Sequence, residues 1–170
     1  PVPSAFLQAV PEAEAMLIEL VLAALPRKPK RIADLFSGTG TFTFALARRA
    51  SVTAFDGDKR AIGALSASAN RAQGLKPIEA RVRDLFREPL SVRELDQFDV
   101  VVLDPPRAGA AARAERLAKS KVPIVIAVSC SPATLARDAR TLIDGGYAMG
   151  PVTPIDQFLF SPHVEAVTVL

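Results

Sequence analysis

Three side chains that could carry out covalent and proton-transfer chemistry stand next to apolar runs in this 170-residue sequence. Its one cysteine, Cys130, follows the run VPIVIAVS, Asp104 ends the run FDVVVLD, and Glu165 opens the run EAVTVL. Two prolines follow Asp104 and hold it in an extended conformation, which would keep its carboxylate directed into a cleft. The thiol and Glu165 are candidates for nucleophilic and acid–base catalysis. Asp104 is well placed to bind a ligand, with a strand followed by a stiff loop as the alternative.

The residues after Cys130 favour its reactive form. Ser131 has the side chain of a helix N-cap, and Pro132 suits the first helical position, so the sulfur would lie just ahead of a helix N-terminus. The positive end of the helix dipole favours the nucleophilic thiolate. A lone cysteine is more often an inert core residue. Cys130, however, follows a predicted strand, and in α/β sheets ligands bind beyond the carboxyl ends of the strands. This position makes the nucleophile the better interpretation.

Glu165 and His163 lie on one face of the last predicted strand, because side chains alternate along a strand. A carboxylate at the mouth of an apolar strand is partly desolvated, which would raise its pKa and make it a better base near neutrality. The alternative for Glu165 is an ordinary glutamate facing solvent. For His163, the one histidine, we predict a structural or RNA-contacting role rather than a catalytic one.

Short apolar runs alternate with helical patterns along the chain, which is typical of βαβ units. Several runs are uniformly apolar, as in parallel sheets covered on both faces. We therefore predict an α/β fold, with a doubly wound, mostly parallel sheet and helices on both faces. The predicted strands are 32–36, 51–55, 78–82, 98–104, 122–129 and 165–170, with 157–160 as a possible seventh, and the predicted helices are 11–25, 42–50, 59–74, 110–120 and 132–146. Gly74 and Gly145 are predicted to end their helices.

The first three strands end in residues suited to an adenosyl ligand. Gly38 and Gly40 would let the backbone approach a ligand closely. Asp56 ends the second strand, 18 residues beyond Gly38, near the spacing at which an acid binds ribose hydroxyls. Asp84 follows the third strand and could accept a hydrogen bond from an adenine amino group, or be a solvated turn aspartate. S-adenosylmethionine and NAD are the main candidates, and NAD is weakened because Thr43 stands where its fingerprint has a third glycine.

The loop after Asp104 helps to indicate which chemical group of a substrate the protein could modify. Amino-directed nucleic-acid methyltransferases resemble this loop but usually carry an aromatic residue after the two prolines, where this chain has Arg107. That difference disfavours an exocyclic amine as the target. Arg107 would either hold a phosphate or be solvated, and the first interpretation is slightly favoured.

Composition limits the class of protein. One cysteine and one histidine leave neither an internal disulfide nor a Cys/His metal cluster, so we expect no metal. The formal charge of +3 and the pI near 9.4 favour an anionic partner such as RNA only weakly. There is no apolar run of membrane-spanning length and no signal-peptide pattern, so we expect a cytoplasmic protein without a membrane partner. We also expect a monomer.

Motifs over nearly the whole chain resemble those of the bacterial RNA uracil-5-methyltransferases, which make 5-methyluridine in tRNA or large-subunit rRNA. The matching segments, in order, are DLFSGTGTF, the acid Asp56, LDPPRAG, VSCSPATLARD, GGY and HVEAVTVL. The opening AFLQAV is similar to the family's F-x-Q-x-N segment, which aligns Phe6 and Gln8 with it. The resemblance is to the C-terminal catalytic domain of the family, with residues 1–28 as a helical segment before a core of 29–170.

The resemblance implies a Rossmann-like class I methyltransferase fold, S-adenosylmethionine as cofactor and RNA as partner, rRNA more than tRNA. It implies Cys130 as the nucleophile that attacks carbon 6 of uracil and Glu165 as the base that removes the proton from carbon 5. The implied cofactor-binding residues are Gln8, Phe36, Thr41, Asp56 and Asp104, with Asp84 as a weaker addition, beside the glycine loop of Gly38 and Gly40. The expected substrate-binding residues are Gln8, Asp104, Arg107 and His163.

Three other functions remain open on the sequence. Cytosine-5 RNA methyltransferases also use a cysteine, but they carry a second one after their double-proline motif, where this chain has Arg107. A non-catalytic module that binds S-adenosylmethionine or RNA would leave Cys130 structural. An NAD-dependent dehydrogenase is disfavoured by the missing third glycine and leaves the surroundings of Cys130 unexplained.

Overall fold

The structure, a computed structural model, describes residues 4–107, 109–156 and 164–170, and within these ranges seven strands form one sheet. The strands are β1 (Arg31–Leu35), β2 (Ser51–Asp56), β3 (Ile78–Val82), β4 (Val100–Leu103), β5 (Ile124–Ser129), β6 (Thr153–Asp156) and β7 (Val164–Val169). Their order in the sheet is β3-β2-β1-β4-β5-β7-β6. Among these strands, β7 runs antiparallel to the other six, which all point the same way. The predicted α/β fold with a mostly parallel sheet is confirmed.

The described helices are α1 (Ser4–Ala24), α2 (Thr43–Leu46), α3 (Lys59–Arg71), α4 (Val92–Leu95), α5 (Ala111–Lys119) and α6 (Pro132–Asp144). The boundaries predicted for the first three helices were wrong. α1 begins at Ser4 rather than at residue 11, because Pro11, a residue typical of the first helical position, lies inside the helix. α2 is much shorter than 42–50, and α3 ends before Gly74, which lies in the following turn with φ of +75°. Gly145 does cap α6. No part of the described chain forms a helix long and apolar enough to cross a membrane.

Two elements were not predicted. β6 contains a proline, which weakens any strand signal, and it lies at the edge of the sheet, where a proline is tolerated. The proposed strand at 157–160 lies outside the described residues. α4 is a single turn with a capping box, in which Ser91 and Glu94 each bind the other's backbone N–H. The spacing of those two residues was the available sign of a helix start.

The apolar strands are buried because both faces of the sheet are covered. All four residues of β4 are buried, and they alternate between two core layers. One layer lies under α5 and α6, with Leu117 and Leu142 among its members. The other lies under α1 and α2, with Leu17 and Leu46. Burial on both faces explains the absence of a polar alternation in these strands.

Strand register brings the chemically important residues to one edge of the sheet. β1, β4 and β5 are in parallel register through Leu35, Leu103 and Ala127, so the residues after these strands share that edge. β7 enters from the same edge, because antiparallel pairing sets Ala166 beside Ser129. Cys130 and Glu165, distant in sequence, are thus the next residues at the mouth of this strand pair.

Candidate active site

An open cavity of about 470 Å³ lies at this edge of the sheet. Six residues predicted for the site line it: Phe36, Asp56, Asp84, Asp104, Cys130 and Glu165. The same cavity is also lined by Gly57, Leu85, Phe86, Pro105 and Pro106. The proposed nucleophile, the proposed base and the residues assigned to an adenosyl ligand therefore share one space.

The loop after β1 has a backbone that requires glycine. Gly38 and Gly40 have φ of +56° and +104°, and Phe36 adopts +62°, which is uncommon for a residue with a side chain. A Cβ at Gly40 would lie 2.7 Å from the ring of Phe44. The two glycines thus allow the tight loop predicted for ligand approach. Thr41 is exposed and is not among the residues that line the cavity.

Asp56 fixes the glycine loop against the end of β2. Its Oδ2 accepts the N–H of Gly38 at 2.9 Å, and its Oδ1 accepts the N–H of Asp58 at 2.9 Å. A carboxylate oxygen can accept more than one hydrogen bond, so both oxygens keep capacity for a ligand hydroxyl. The carboxylate is thus oriented before any ligand binds.

Asp84 has a structural role in its turn. Its Oδ1 accepts the backbone N–H groups of Phe86 and Arg87 at 3.0 and 3.2 Å, and the side chain is exposed. The alternative interpretation as a turn aspartate is therefore supported, although Asp84 also lines the cavity. The turn presents Phe86, whose ring lies 5.5 Å from that of Phe36 at an angle of 54°. The sequence interpretation missed Phe86.

Three carboxyl groups at this edge have raised pKa values. Burial raises the pKa of Asp104 to about 8, and the charges of Glu165 and Asp34 add to the effect. Burial also raises the pKa of Glu165, whose Oε2 is enclosed without a hydrogen-bond partner among the described residues. Carboxyls with raised pKa values are better suited to hold or move a proton during a reaction than ordinary surface carboxyls.

Asp34 is the third of these carboxyls, and the sequence interpretation did not single it out. It is fully buried at the end of β1, and its Oδ2 accepts a hydrogen bond from the Thr43 hydroxyl at 2.6 Å. Burial raises its pKa to about 7, against the lowering effect of that hydrogen bond, and the charge of Asp56 raises it further. An aspartate inside the apolar run IADLF was the available signal.

The turn that carries Cys130 is held by two serines. The Ser129 hydroxyl accepts the N–H of Ser131 at 3.1 Å and donates to its carbonyl at 3.0 Å. The side chain of Ser131 caps α6 by accepting the N–H of Thr134 at 3.5 Å, and Pro132 begins the helix. The predicted helix start is confirmed, and Cys130 is half-buried directly before it.

The remaining residues predicted to bind substrate or cofactor are Arg107, Gln8 and His163. Arg107 is exposed in the turn after the two prolines. Gln8 and Phe6 lie within α1, but their side chains are outside the described residues, as is His163. Their proposed contacts stay predictions.

Comparison with known protein families identifies the family of this chain. A family model described as tRNA (uracil-5-)-methyltransferase matches residues 2–170. The chain belongs to this family. Membership confirms the resemblance drawn from the motifs.

Relatives in this family are similar over almost the whole chain. An uncharacterized RNA methyltransferase of Mesorhizobium japonicum is 54% identical over 168 residues, which are 99% of this chain and 40% of that protein. The 23S rRNA (uracil(1939)-C(5))-methyltransferase RlmD of Chromohalobacter salexigens is 42% identical over 171 residues, which cover 99% of this chain and 35% of that protein. The chain thus spans about two fifths of the length of the curated relatives it matches.

A solved structure extends the likeness to three dimensions. The tRNA (uracil-54, C5)-methyltransferase of Pyrococcus abyssi, in complex with S-adenosyl-L-homocysteine, has a TM-score of 0.78 and 32% identity. The match covers 92% of this chain and 37% of that one. The fold is therefore the Rossmann-like methyltransferase fold expected from the sequence.

The buried Asp34 predicts a pH-dependent gain in stability on neutralisation. Burial raises the pKa of Asp34 from 3.8 to about 7. The folded state therefore binds a proton more tightly than the unfolded state, and the free energy of unfolding decreases as the pH rises from 3.8 to about 7. Asp34→Asn keeps an acceptor for Thr43 and does not titrate. We expect the variant to be more stable than the wild type at pH 8 by up to about 4 kcal/mol, with a smaller difference at pH 5.

Urea unfolding at the two pH values measures this difference. Asp144→Asn, at the exposed end of α6, is the matched control and should change stability little at either pH. A gain that is the same at pH 5 and pH 8, or a loss at pH 8, would contradict the assigned cause.

Proposed function

We propose that this chain catalyses the S-adenosylmethionine-dependent methylation of carbon 5 of a uridine in RNA, in rRNA rather than tRNA. The observation that carries the proposal is the meeting of Cys130, Asp104 and Glu165 in one cavity with Phe36 and Asp56. Family membership supports uracil as the base. The 42% identity to the RlmD of Chromohalobacter salexigens supports rRNA.

The residues present fit an adenosyl cofactor. Asp56 has oriented carboxylate oxygens with free acceptor capacity, which suits ribose hydroxyls. Phe36 and Phe86 offer apolar ring surface beside it, and Asp84 stands at the same end. The open backbone at Gly38, where a Cβ would meet nothing within 4 Å, leaves space for close approach. When bound, S-adenosylmethionine would supply an electrophilic methyl group.

Cys130 would make carbon 5 reactive. Carbon 5 of uracil is a weak nucleophile, so addition of the Cys130 thiolate to carbon 6 is required first. The new C–S bond forms as the electrons of the carbon 5–carbon 6 double bond move toward the oxygen on carbon 4, giving an enolate. Its carbon 5 can then accept a methyl group. The turn fixed by Ser129 and Ser131 holds the thiol for this attack.

Glu165 would complete the reaction as the base. After methylation, carbon 5 carries both a methyl group and a proton, and the Glu165 carboxylate removes that proton. The released electron pair restores the double bond, the C–S bond breaks and the thiolate is regenerated. The buried Oε2 of Glu165 lies at the mouth of the same strand pair as Cys130.

Asp104 would recognise the base from the other side of the cavity. With a pKa of about 8, it is mostly protonated at pH 7 and can donate a hydrogen bond to a uracil carbonyl oxygen. Gln8 is the other candidate for this polar contact, and Arg107 and His163 for contacts with the RNA backbone. The target base must leave its stack to enter the cavity.

We further propose that residues 1–170 are the catalytic domain of a longer protein, with residues 1–28 as a helical segment and 29–170 as its core. The span of about two fifths of the matched relatives supports a longer protein. A monomeric state and a cytoplasmic location stay predictions of the sequence.

Nucleoside analysis tests the activity. The full-length protein is incubated with S-adenosylmethionine and, separately, with rRNA and tRNA from cells that lack its gene, and the digested RNA is analysed by mass spectrometry. We expect 5-methyluridine in rRNA. A product of 5-methylcytidine would show that the base is wrong, 5-methyluridine in tRNA alone that the RNA class is wrong, and no methylated pyrimidine would contradict the proposal.

A further inference from the structure

An arginine lies on the buried side of α5, where an apolar residue is expected. Arg113 shares the face of Ala110, Ala114 and Leu117 and is only 5% exposed. Arginine is rarely this buried, because its charge and donors need partners. Here the two terminal nitrogens have partners, and Nε has none among the described residues. None of the roles proposed so far uses this side chain. Three of the residues that it contacts line the cavity: Phe36, Leu85 and Phe86.

The guanidinium of Arg113 joins two loops that approach from different strands. Its Nη1 donates to the carbonyl of Leu85 at 2.7 Å, in the turn after β3, and its Nη2 donates to the carbonyl of Gly109 at 3.3 Å, in the loop after β4. Both are backbone contacts, so they fix the paths of the loops. One side chain therefore connects the turn after β3, which carries Phe86, with the loop after β4, which begins at Asp104.

The same guanidinium lies over the two aromatic rings of Phe36 and Phe86. Its central carbon lies 4.7 Å from the ring centre of Phe86 and 5.5 Å from that of Phe36. A guanidinium over the face of an aromatic ring is attracted by the negative charge density of that face, so both contacts are favourable. Phe36 has a positive φ, so this contact also stabilises a backbone conformation that is uncommon for phenylalanine.

The loop from Asp104 to Gly109 is joined to α6, the helix that follows Cys130. Gly109 ends the loop that begins at Asp104, and the adjoining N–H of Ala110 donates to Asp138 of α6 at 2.8 Å. Asp138 is itself buried, and α6 is the helix that starts directly after Cys130. A Cβ on Gly109 would lie 3.1 Å from the carboxylate of Asp138, so loop and helix are closely packed.

We propose that Arg113 is a positioning residue that couples cofactor binding to the loop from Asp104 to Gly109. The inference rests on the proposed function for the identity of the cofactor. A ligand that packs on Phe36 and Phe86 limits the motion of the rings against the guanidinium. Through its bond to Gly109, that side chain in turn orders the loop that recognises the base.

The geometry requires arginine. The planar guanidinium stacks on rings and donates in two directions at once, whereas a lysine ammonium is a single charged point on a flexible stem. The charges around it are those of Asp138, Arg137 and Asp84. Arg113→Lys therefore keeps the charge beside these groups and removes the bridge between the loops.

Hydrogen exchange with S-adenosyl-L-homocysteine as the probe tests the coupling in the full-length protein. In the wild type we expect saturating S-adenosyl-L-homocysteine to slow exchange both in the glycine loop, 36–41, and in the second loop, 107–110, by about fivefold or more. In Arg113→Lys, slowing at 36–41 should persist, while slowing at 107–110 should be lost. Arg116→Lys, at an exposed position of the same helix, should behave as the wild type.

The outcomes separate this inference from the proposed function. Equal slowing at 107–110 in the wild type and in Arg113→Lys would overturn the coupling, and so would its absence from a wild type that binds. If the wild type does not bind S-adenosyl-L-homocysteine, the proposed function itself fails. Phe86→Leu, at a half-exposed position, gives a second test should the lysine variant not fold, because it removes the ring under the guanidinium. At a saturating concentration of S-adenosyl-L-homocysteine, this variant should keep the slowing at 36–41, which shows that it binds, and lose the slowing at 107–110. Full retention at 107–110 would count against the coupling.

Discussion

Cys130→Ala is expected to reduce 5-methyluridine formation by roughly 10³-fold or more, because carbon 5 of uracil is not activated without the thiolate. Binding of S-adenosyl-L-homocysteine should change little, since the cofactor contacts assigned to Phe36 and Asp56 remain. Initial rates at saturating S-adenosylmethionine, with calorimetric titration of S-adenosyl-L-homocysteine, measure both quantities.

Ser129→Ala is an informative comparison for this substitution. It removes the hydroxyl that bridges both backbone groups of Ser131 but keeps the thiol, so we expect a smaller loss of rate than in Cys130→Ala. A Cys130→Ala variant that retains more than about a tenth of the wild-type rate would exclude the thiol as the nucleophile, since loss of an essential nucleophile has a much larger effect.

Glu165→Gln is expected to stop the reaction after methylation. The amide cannot accept the proton from carbon 5, so turnover should fall by about 10² to 10⁴-fold. Attack by Cys130 does not need this base, and the covalent complex should therefore accumulate. Gel electrophoresis under denaturing conditions with labelled RNA detects it.

The pH dependence of the rate gives a separate sign of this role. Burial raises the pKa of Glu165, and a base must be ionised, so the wild-type rate should increase as pH rises through that raised pKa. Asp104 has a pKa of about 8 and must be protonated to donate, so the rate should fall above it. The two carboxyls interact, and the limbs of this bell-shaped profile belong to the pair. Rapid turnover by Glu165→Gln without an accumulated complex would show that another group removes the proton.

The fold was predictable because its central strands, β1, β4 and β5, are buried on both faces and leave a clear apolar pattern in the sequence. The strand ends then located Asp56, Asp104 and Cys130 at one edge, since parallel strands share their carboxyl ends. The spacing of Ser131 and Pro132 predicted the helix start behind the thiol. These conclusions depend on local sequence and on one topological rule, and the structure confirms them.

The remaining features depend on contacts between distant segments. Phe86 belongs to the cavity because the turn at Asp84 directs it toward Phe36, and no periodicity encodes that. Arg113 interrupts the apolar stripe of α5, which is a signal in the sequence, but its partners at Leu85 and Gly109 appear only when the chain is folded. Asp34 could be recognised as unusual in an apolar strand, whereas its bond to Thr43 could not.

Trapping the covalent complex tests the role of Cys130 most directly. The full-length protein is incubated with S-adenosylmethionine and rRNA that contains 5-fluorouridine, and the complex is digested and sequenced by mass spectrometry. Fluorine on carbon 5 cannot leave as a proton, so we predict a stable adduct in which carbon 6 of a methylated 5-fluorouridine is bonded to Cys130. An adduct on another residue would show that Cys130 is not the nucleophile. So would the absence of any adduct when the same RNA with ordinary uridine is methylated.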